Sequence, residues 1–454
     1  MKATNQYKIK QGLDIPVQGV AERRCMSLLD ERLYAVRPTD YVGLSPRLLV
    51  SEGDRVRVGT VLVEGKEQGA LRLVSPVSGT VRSVVRGEKR RLLTVVVESD
   101  EAQEQEQWPA IDAMQCDEKA LRERLVETGL WTLLTQRPFG IVPAADAMPR
   151  AFFLSGFDSG PLPVDSGYLL EGREEDFRYG VTVLRRLAGT VHLSLDSRRQ
   201  RDSWLAEVPE AEVHYFEGPH PAGLVGTQIN RIAPINKGET VWTTDLQSVA
   251  IIGHYFRTGG LELRRRVALC GPGVAHPCYF DLRQGANIAQ LAGLVGDANV
   301  RFVGGDLLSG VGLERDGYLP TAVSKLCVIP EGDQPDLLGW LRPNVHKYSH
   351  SRTFLSGLLR RPRGLRLMFD TGLHGGRRPL FVTGEFERLV PLDIYPMQLI
   401  KACIVGDLEQ MEELGIYEVE PEDLALCEFA DTSKTEIQSV VRQALEQLRK
   451  EGTV

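Results

Sequence analysis

The sequence predicts a multidomain protein of mixed α+β and α/β class. It should hold an N-terminal barrel-sandwich hybrid, a Rossmann-like α/β domain, a β-grasp (SLBB-like) domain and a mainly helical C-terminal region. Three observations predict this. Residues 43–97 hold short apolar alternations broken by glycine corners, residues 117–260 alternate strand-like and helix-like patches, and residues 436–450 carry an apolar stripe at helical spacing. A chain of 454 residues divides into about three or four domains. The expected division is 1–99 for the roll, 100–116 for a linker, 117–260 for the α/β domain, 261–330 for the β-grasp domain and 331–454 for the helical region.

The roll is read from two segments, residues 50–62 (VSEGDRVRVGTVL) and 75–85 (SPVSGTVRSVV), each a tight turn followed by period-two alternation. Gly53, Gly59, Gly79 and Gly87 stand where strands must reverse, corners that often need a positive φ. The wording is similar to half of a lipoyl or biotinyl carrier domain. Such carriers present a modified lysine at a hairpin tip, usually between methionines. Here the hairpin is VEGKEQGA, and Lys66 has no methionine neighbour. Lys66 therefore reads as a solvated turn lysine, and the roll as structural.

Residues 99–107 are acidic and Gln-rich, and read as a linker ending at Trp108-Pro109. Residues 117–129 have an acidic first turn, apolar Leu121, Leu125 and Val126, and Gly129 as the stop, which predicts a helix. Strands are expected at 151–155, 190–195 and 212–216, with a helix at 177–187. This alternation predicts a parallel sheet flanked by helices. Residues 263–270, the Gly271-Pro272-Gly273 turn, 275–282, a helix at 287–295 and 300–305 follow a β-grasp order. Helices are expected at 395–405, 407–414 and 436–450, the last with Ile437, Val440, Val441, Ala444, Leu445 and Leu448 on one face. That stripe reads as core rather than as a partner groove.

A net charge of −7 argues against sequence-independent nucleic-acid binding, which needs a basic face. The Arg264–Arg266 and Arg360-Arg361-Pro362-Arg363 patches read as solvated faces, or as contacts to lipid headgroups or an acidic partner. No apolar run reaches the roughly 18 residues of a membrane span, and the first eight residues lack a signal-peptide core, so a cytoplasmic location is expected. Seven scattered cysteines without C-x-x-C spacing indicate free thiols and no iron–sulfur motif.

Several patterns invite chemistry. His346 and His350 at i and i+4 could share a helix face for zinc, but a third ligand is not evident and Pro343 precedes them. Cys270, His276 and Cys278 fall in the expected β-grasp turn and read as a turn beside buried thiols. The loop 217–226 follows a strand of the α/β domain, where such folds bind ligands. Its Pro219 and Pro221 remove the N–H groups a phosphate cradle needs, and the spacing is not G-x-G-x-x-G. His220 there reads first as a turn histidine and second as a proton donor. No Ser-His-Asp arrangement or nucleophile elbow is present.

In order along the chain, residues 7–19 (YKIKQGLDIPVQG), the SPVSGTV segment with 86–91 (RGEKRR), 137–143 (RPFGIVP), 218–235, Gly271-Pro272-Gly273 and 427–434 (CEFADTSK) resemble the NqrA family, one component of the Na+-translocating NADH:quinone oxidoreductases. That family is similar to the flavin-carrying component of respiratory complex I and to its counterpart in the Rnf complex, where a Gly-rich loop holds FMN and NADH. The corresponding place here is Arg137-Pro138-Phe139-Gly140, with one glycine left. The resemblance implies a scaffold that binds no cofactor itself. It would sit peripherally on the cytoplasmic face of the bacterial inner membrane, among five other subunits including a membrane partner. FMN, FAD, riboflavin and iron centres would lie on those partners, with ubiquinone as the substrate of the complex. Phe139 and His220, an apolar ring and a hydrogen-bond donor on two loops, are the candidate quinone contacts. No catalytic or metal residues are expected. A free-standing flavin/NADH oxidoreductase and a non-catalytic adaptor remain the alternatives.

Overall fold

Period-two alternation builds the roll as expected. The computed structural model describes residues 5–28, 31–66, 71–100, 102–296, 298–333, 338–339, 342–345, 347–351, 354–358 and 364–452. Leu33–Val36, Leu92–Ser99, Gly79–Arg86 and Arg55–Val56 form one sheet, and Pro46–Leu48, Val61–Gly65 and Arg72–Val74 a second. Val56, Leu73, Val81, Val95 and Val97 are buried as the alternation requires, and a register shift between Val61 and Val63 accompanies the burial of both Leu62 and Val63. Gly79, at φ 153°, could carry no side chain, because a Cβ would fall 1.9 Å from the Glu98 carbonyl. Lys66 is exposed, its backbone N–H donating to Ser45 O at 2.9 Å. The rest of that hairpin tip lies outside the described residues.

The α/β sheet has the order Gln6–Lys8, Glu212–Glu217, Val191–Asp196, Phe152–Ser155, Val241–Thr243, Thr135–Arg137. All neighbours are parallel except the last pair. Val191, Leu193 and Leu195 pack under the helices Glu174–Ala188 and Leu246–Thr258. These two helices touch backbone to backbone at Gly253, whose Cβ would fall 1.8 Å from Asp176 O. The opposite face, with Phe153 and Val241, packs against Val225–Ile232. The helix Glu118–Glu127 begins at Asp117, whose carboxylate accepts the Ala120 N–H at 2.6 Å, and left-handed Gly129 follows its end.

The β-grasp sheet runs Val311–Leu313, Val300–Gly304, Lys325–Pro330, Arg264–Cys270, Cys278–Arg283, Cys25–Met26, with the helix Ala289–Val295 beside it. Its Lys325–Pro330 strand pairs parallel with Arg264–Cys270 and antiparallel with Val300–Gly304. The sequence pattern alone assigns no strand there. The first arginine patch lies on this sheet and is engaged: Arg265 is buried and paired with Asp245, and Arg266 pairs with Asp281 at 2.9 Å. The second patch, 360–363, lies outside the described residues.

The N-terminal stretch departs from the expected roll. Gln6–Lys8 extends the α/β sheet and Cys25–Met26 the β-grasp sheet. Each covers a sheet edge whose N–H and C=O groups would otherwise lie open. The stretch expected as a linker is also engaged: Glu106 N–H donates to Val58 O at 2.9 Å, and Trp108 lies against Gly59 and edge-on to Tyr255. C-terminal helices form as expected, but from Phe386 onward. Among the described residues of 331–385, Leu355–Leu358 is the one helical turn. Gly364, Gly372, Gly375, Gly376 and Gly384 make that stretch a poor helix. The Ile437–Glu451 stripe buries Ile437, Val441, Ala444, Leu445 and Leu448 against Met397, Ile400 and Met411, so it is core.

Candidate functional site

Open α/β sheets bind ligands beyond the carboxyl ends of their strands. Here that crest is filled by the chain itself. After Phe152–Ser155, Asp158 meets Lys325 Nζ at 2.8 Å, and Asp306 meets the same ammonium at 2.8 Å. Burial by itself would lower the Lys325 pKa, but the two carboxylates hold it well above the usual lysine range. Burial also opposes the charge on Asp306, and Lys325 keeps that carboxyl low. After Glu212–Glu217, His220 is buried, with Nδ1 3.1 Å from Ser159 Oγ and its backbone N–H donating to Asp14 at 3.2 Å. Burial lowers its pKa, so the imidazole is neutral. Residues 9–14 lie across this end: Gly12 passes so close that a Cβ would meet His220 O at 2.1 Å. His220 therefore has the geometry of a satisfied turn histidine.

Phe139 lies elsewhere. The tight turn after Thr135–Arg137 closes with Gln136 N–H donating to Ile141 O at 2.7 Å and puts Phe139 at φ 86°. Phe139 borders a cleft of about 670 Å³ between the α/β domain and the C-terminal helices, lined also by Pro138, Ile141, Leu408, Tyr417 and Leu448. Tyr417 stands edge-on to Phe139 at 6.2 Å, and its hydroxyl donates to Glu412 at 2.5 Å. Burial and Glu412 push the Tyr417 phenol up to about 12. His220 does not line this cleft, so the two candidate contacts occupy separate places.

Arg137 turns away from the cleft. It is 4% exposed and donates to Asp423 at 2.9 Å and to Glu422. Arg442 donates to Glu420 at 2.8 Å and to Phe139 O at 2.8 Å. Gly140 and Gly226 do permit close approach, but of carboxylates: a Cβ on Gly140 would lie 2.7 Å from Glu420, and one on Gly226 2.3 Å from Asp423. A flavin or dinucleotide phosphate does not fit this loop. It would be repelled by these carboxylates, and Arg137 is already engaged.

Of the remaining sequence candidates, Cys270 packs with Cys327, Sγ to Sγ 3.6 Å, whereas Cys278 sits in a different apolar cluster and His276 is exposed. His350 Nε2 lies 2.8 Å from Glu385, and His346 lies outside the described residues. Sequence reasoning missed the Asp158–Lys325–Asp306 and Arg137–Asp423 networks, whose partners are up to 286 residues apart. A lysine at the head of the apolar run LCVI was the one local signal.

Roll, parallel α/β domain, β-grasp domain and helical bundle, in that order, define a multidomain protein of the barrel-sandwich, α/β and SLBB class. No helix among the described residues is long and apolar enough to cross a membrane. Three family profiles match in the same order: "NqrA N-terminal barrel-sandwich hybrid domain" over residues 7–100, "NqrA second alpha/beta domain" over 116–261 and "NQRA C-terminal domain", of the SLBB type, over 266–314. The NqrA component of the Na(+)-translocating NADH-quinone reductase of Mannheimia succiniciproducens is 37% identical over 449 residues, covering 98% of this chain and 99% of that one. Its namesake from Neisseria meningitidis is 37% identical over 450 residues, covering 98% and 100%. The chain belongs to the NqrA family of the Na+-translocating NADH-quinone reductases. A solved NAD+-reducing NiFe-hydrogenase overlays on 75% of this chain and 62% of its own at 12% identity, with a TM-score of only 0.37.

Proposed function

We propose that this chain is a peripheral component of a Na+-translocating NADH:quinone reductase, on the cytoplasmic face of the bacterial inner membrane. In that complex NADH is oxidised, ubiquinone is reduced to ubiquinol and Na+ is exported. The observation that carries this reading is a full-length relationship to NqrA proteins at 37% identity over 98% of the chain. The chain itself holds no flavin and performs no complete reaction. FMN, FAD, riboflavin and iron centres reside on the other five subunits, at least one of which spans the membrane. The carboxylates of Glu420 and Asp423 against Gly140 and Gly226 support the cofactor-free part. The chain's share in quinone reduction is assigned to the cleft beside Phe139, whose size and mixed lining suit a quinone ring. His220 serves the crest as a packing residue.

A tagged chain drawn from native membranes in mild detergent should bring down Na+-stimulated NADH:quinone reductase activity, with flavin confined to other bands. A chain that comes down alone and yellow overturns the reading in favour of an independent flavoenzyme, and alone and colourless in favour of an adaptor. Within the complex, Phe139→Ala should raise the quinone KM about tenfold, the equivalent of about 1.4 kcal/mol, and leave NADH oxidation by an artificial acceptor unchanged. An unchanged KM removes Phe139 from the quinone site.

A further inference from the structure

At the end of the α/β sheet opposite the crest, two histidines and a glutamate converge. Val191–Asp196 and Glu212–Glu217 pair in parallel, with His192 opposite Glu212 and Ser194 opposite His214. Alternation puts residues 192, 212 and 214 on one face, the face packed against Val225–Ile232. There His192 Nδ1 lies 3.0 Å from His214 Nε2 and 3.4 Å from Glu212 Oε2, and the three ligand-capable atoms fall within 4.8 Å of one another. Around a tetrahedral zinc with N and O ligands at roughly 2.0–2.2 Å, neighbouring ligand atoms stand about 3.3–3.5 Å apart. The two measured separations are close to two such edges.

We propose that His192, His214 and Glu212 form a site for a borderline divalent transition-metal ion such as Zn2+, with water as the fourth ligand, joining the two strands at their amino-terminal ends. Two imidazoles and one carboxylate select this class of ion over hard cations, which take oxygen ligands. The Glu212 side chain is 63% exposed, which leaves a route in and room for the water. His214 is 3% exposed, and the ring nitrogen it turns to the cluster is Nε2, held 3.0 Å from His192 Nδ1. Phe153 lies tilted against His192 with ring centroids 4.6 Å apart, and Tyr7 approaches His214 at 6.0 Å, giving an apolar surround that limits solvent access to the imidazoles. Burial holds both imidazoles down to about 4, so both are neutral and able to ligate at pH 7. Arg150, whose charge reaches His192, is itself paired with Glu239 at 2.7 Å.

The test is calorimetric titration of the chelator-treated full chain with ZnCl2 at pH 7. One equivalent should bind, and Zn2+ should raise the unfolding temperature. Glu212→Gln, a change at a solvent-exposed side chain, should weaken binding at least tenfold and leave the metal-free unfolding temperature unchanged. His192→Asn should abolish binding. Co2+ should give tetrahedral visible bands without a thiolate charge-transfer band, separating this site from the seven free cysteines. Absent binding, affinity unchanged in both variants, or a thiolate band on cobalt would each overturn the site.

Discussion

Arg137→Met removes a buried cation that joins the α/β domain to the C-terminal bundle, and its cost can be worked from the contacts. The guanidinium serves two carboxylates of different surroundings. Asp423 is 1% exposed, whereas Glu422 is 39% exposed. Released from Arg137, Glu422 turns to water at little cost. Asp423 cannot. It keeps the Glu420 N–H at 2.9 Å as a donor, and among the described residues its Oδ1 has no partner even with Arg137 in place. Leaving one half of a buried pair uncompensated costs about 3–5 kcal/mol. Met covers much of the arginine stem, so little cavity cost is added. The opening constant of the bundle should therefore rise by roughly two to three and a half orders of magnitude. Native-state hydrogen exchange of the Ile437–Glu451 amides reads that local free energy directly. Adding Asp423→Asn should restore most of the loss, because a neutral amide still accepts the Glu420 N–H and needs no counter-ion. Exchange unchanged in Arg137→Met, or no recovery in the double variant, would refute the reasoning.

Glu420 gives a pH signature. Burial pushes its carboxyl up to about 7, against the downward pull of Arg137 and Arg442. The ordinary value in an unfolded chain is about 4.3, so the folded state holds the proton more tightly. Its contribution to stability is fully present below about pH 4 and lost as pH rises towards 7, on the order of 3–4 kcal/mol in all. Glu420→Gln should flatten the decline between about pH 4.5 and 7 in a thermal-unfolding series; curves that stay parallel to wild type would count against the assignment. Lys325→Met should cost about 3–5 kcal/mol by urea unfolding, since Asp158 and Asp306 are left facing each other. The triple variant with Asp158→Asn and Asp306→Asn should recover much of it; failure to recover would mean that the lysine acts through packing alone.

Local pattern carried most of the element reading. The helix at Glu118–Glu127 was legible from Asp117 and Gly129, the roll from its alternation, and Ile437–Glu451 from its 3.6-residue stripe, because each signal lies within one turn or one strand pair. The Lys325–Pro330 strand was missed because a short apolar run has no period of its own. The Gln6–Lys8 and Cys25–Met26 strands were missed because an edge position is set by the partner strand, not by the segment. The sites divide in the same way. Phe139 was legible as a loop residue, but only folding brought Tyr417 and Leu448 opposite it to form a cleft. His220 looked available in a glycine- and proline-rich loop until residues 9–14 closed over it. By itself, then, the sequence determined the order and class of the units, through spacings shorter than about ten residues, and the family through motifs in colinear order. Which charges meet, which loops are filled and which histidines share a face was decided by tertiary structure. Those pairings join residues from 15 to 286 positions apart, and register between strands and packing between domains leave no mark in the local spacing.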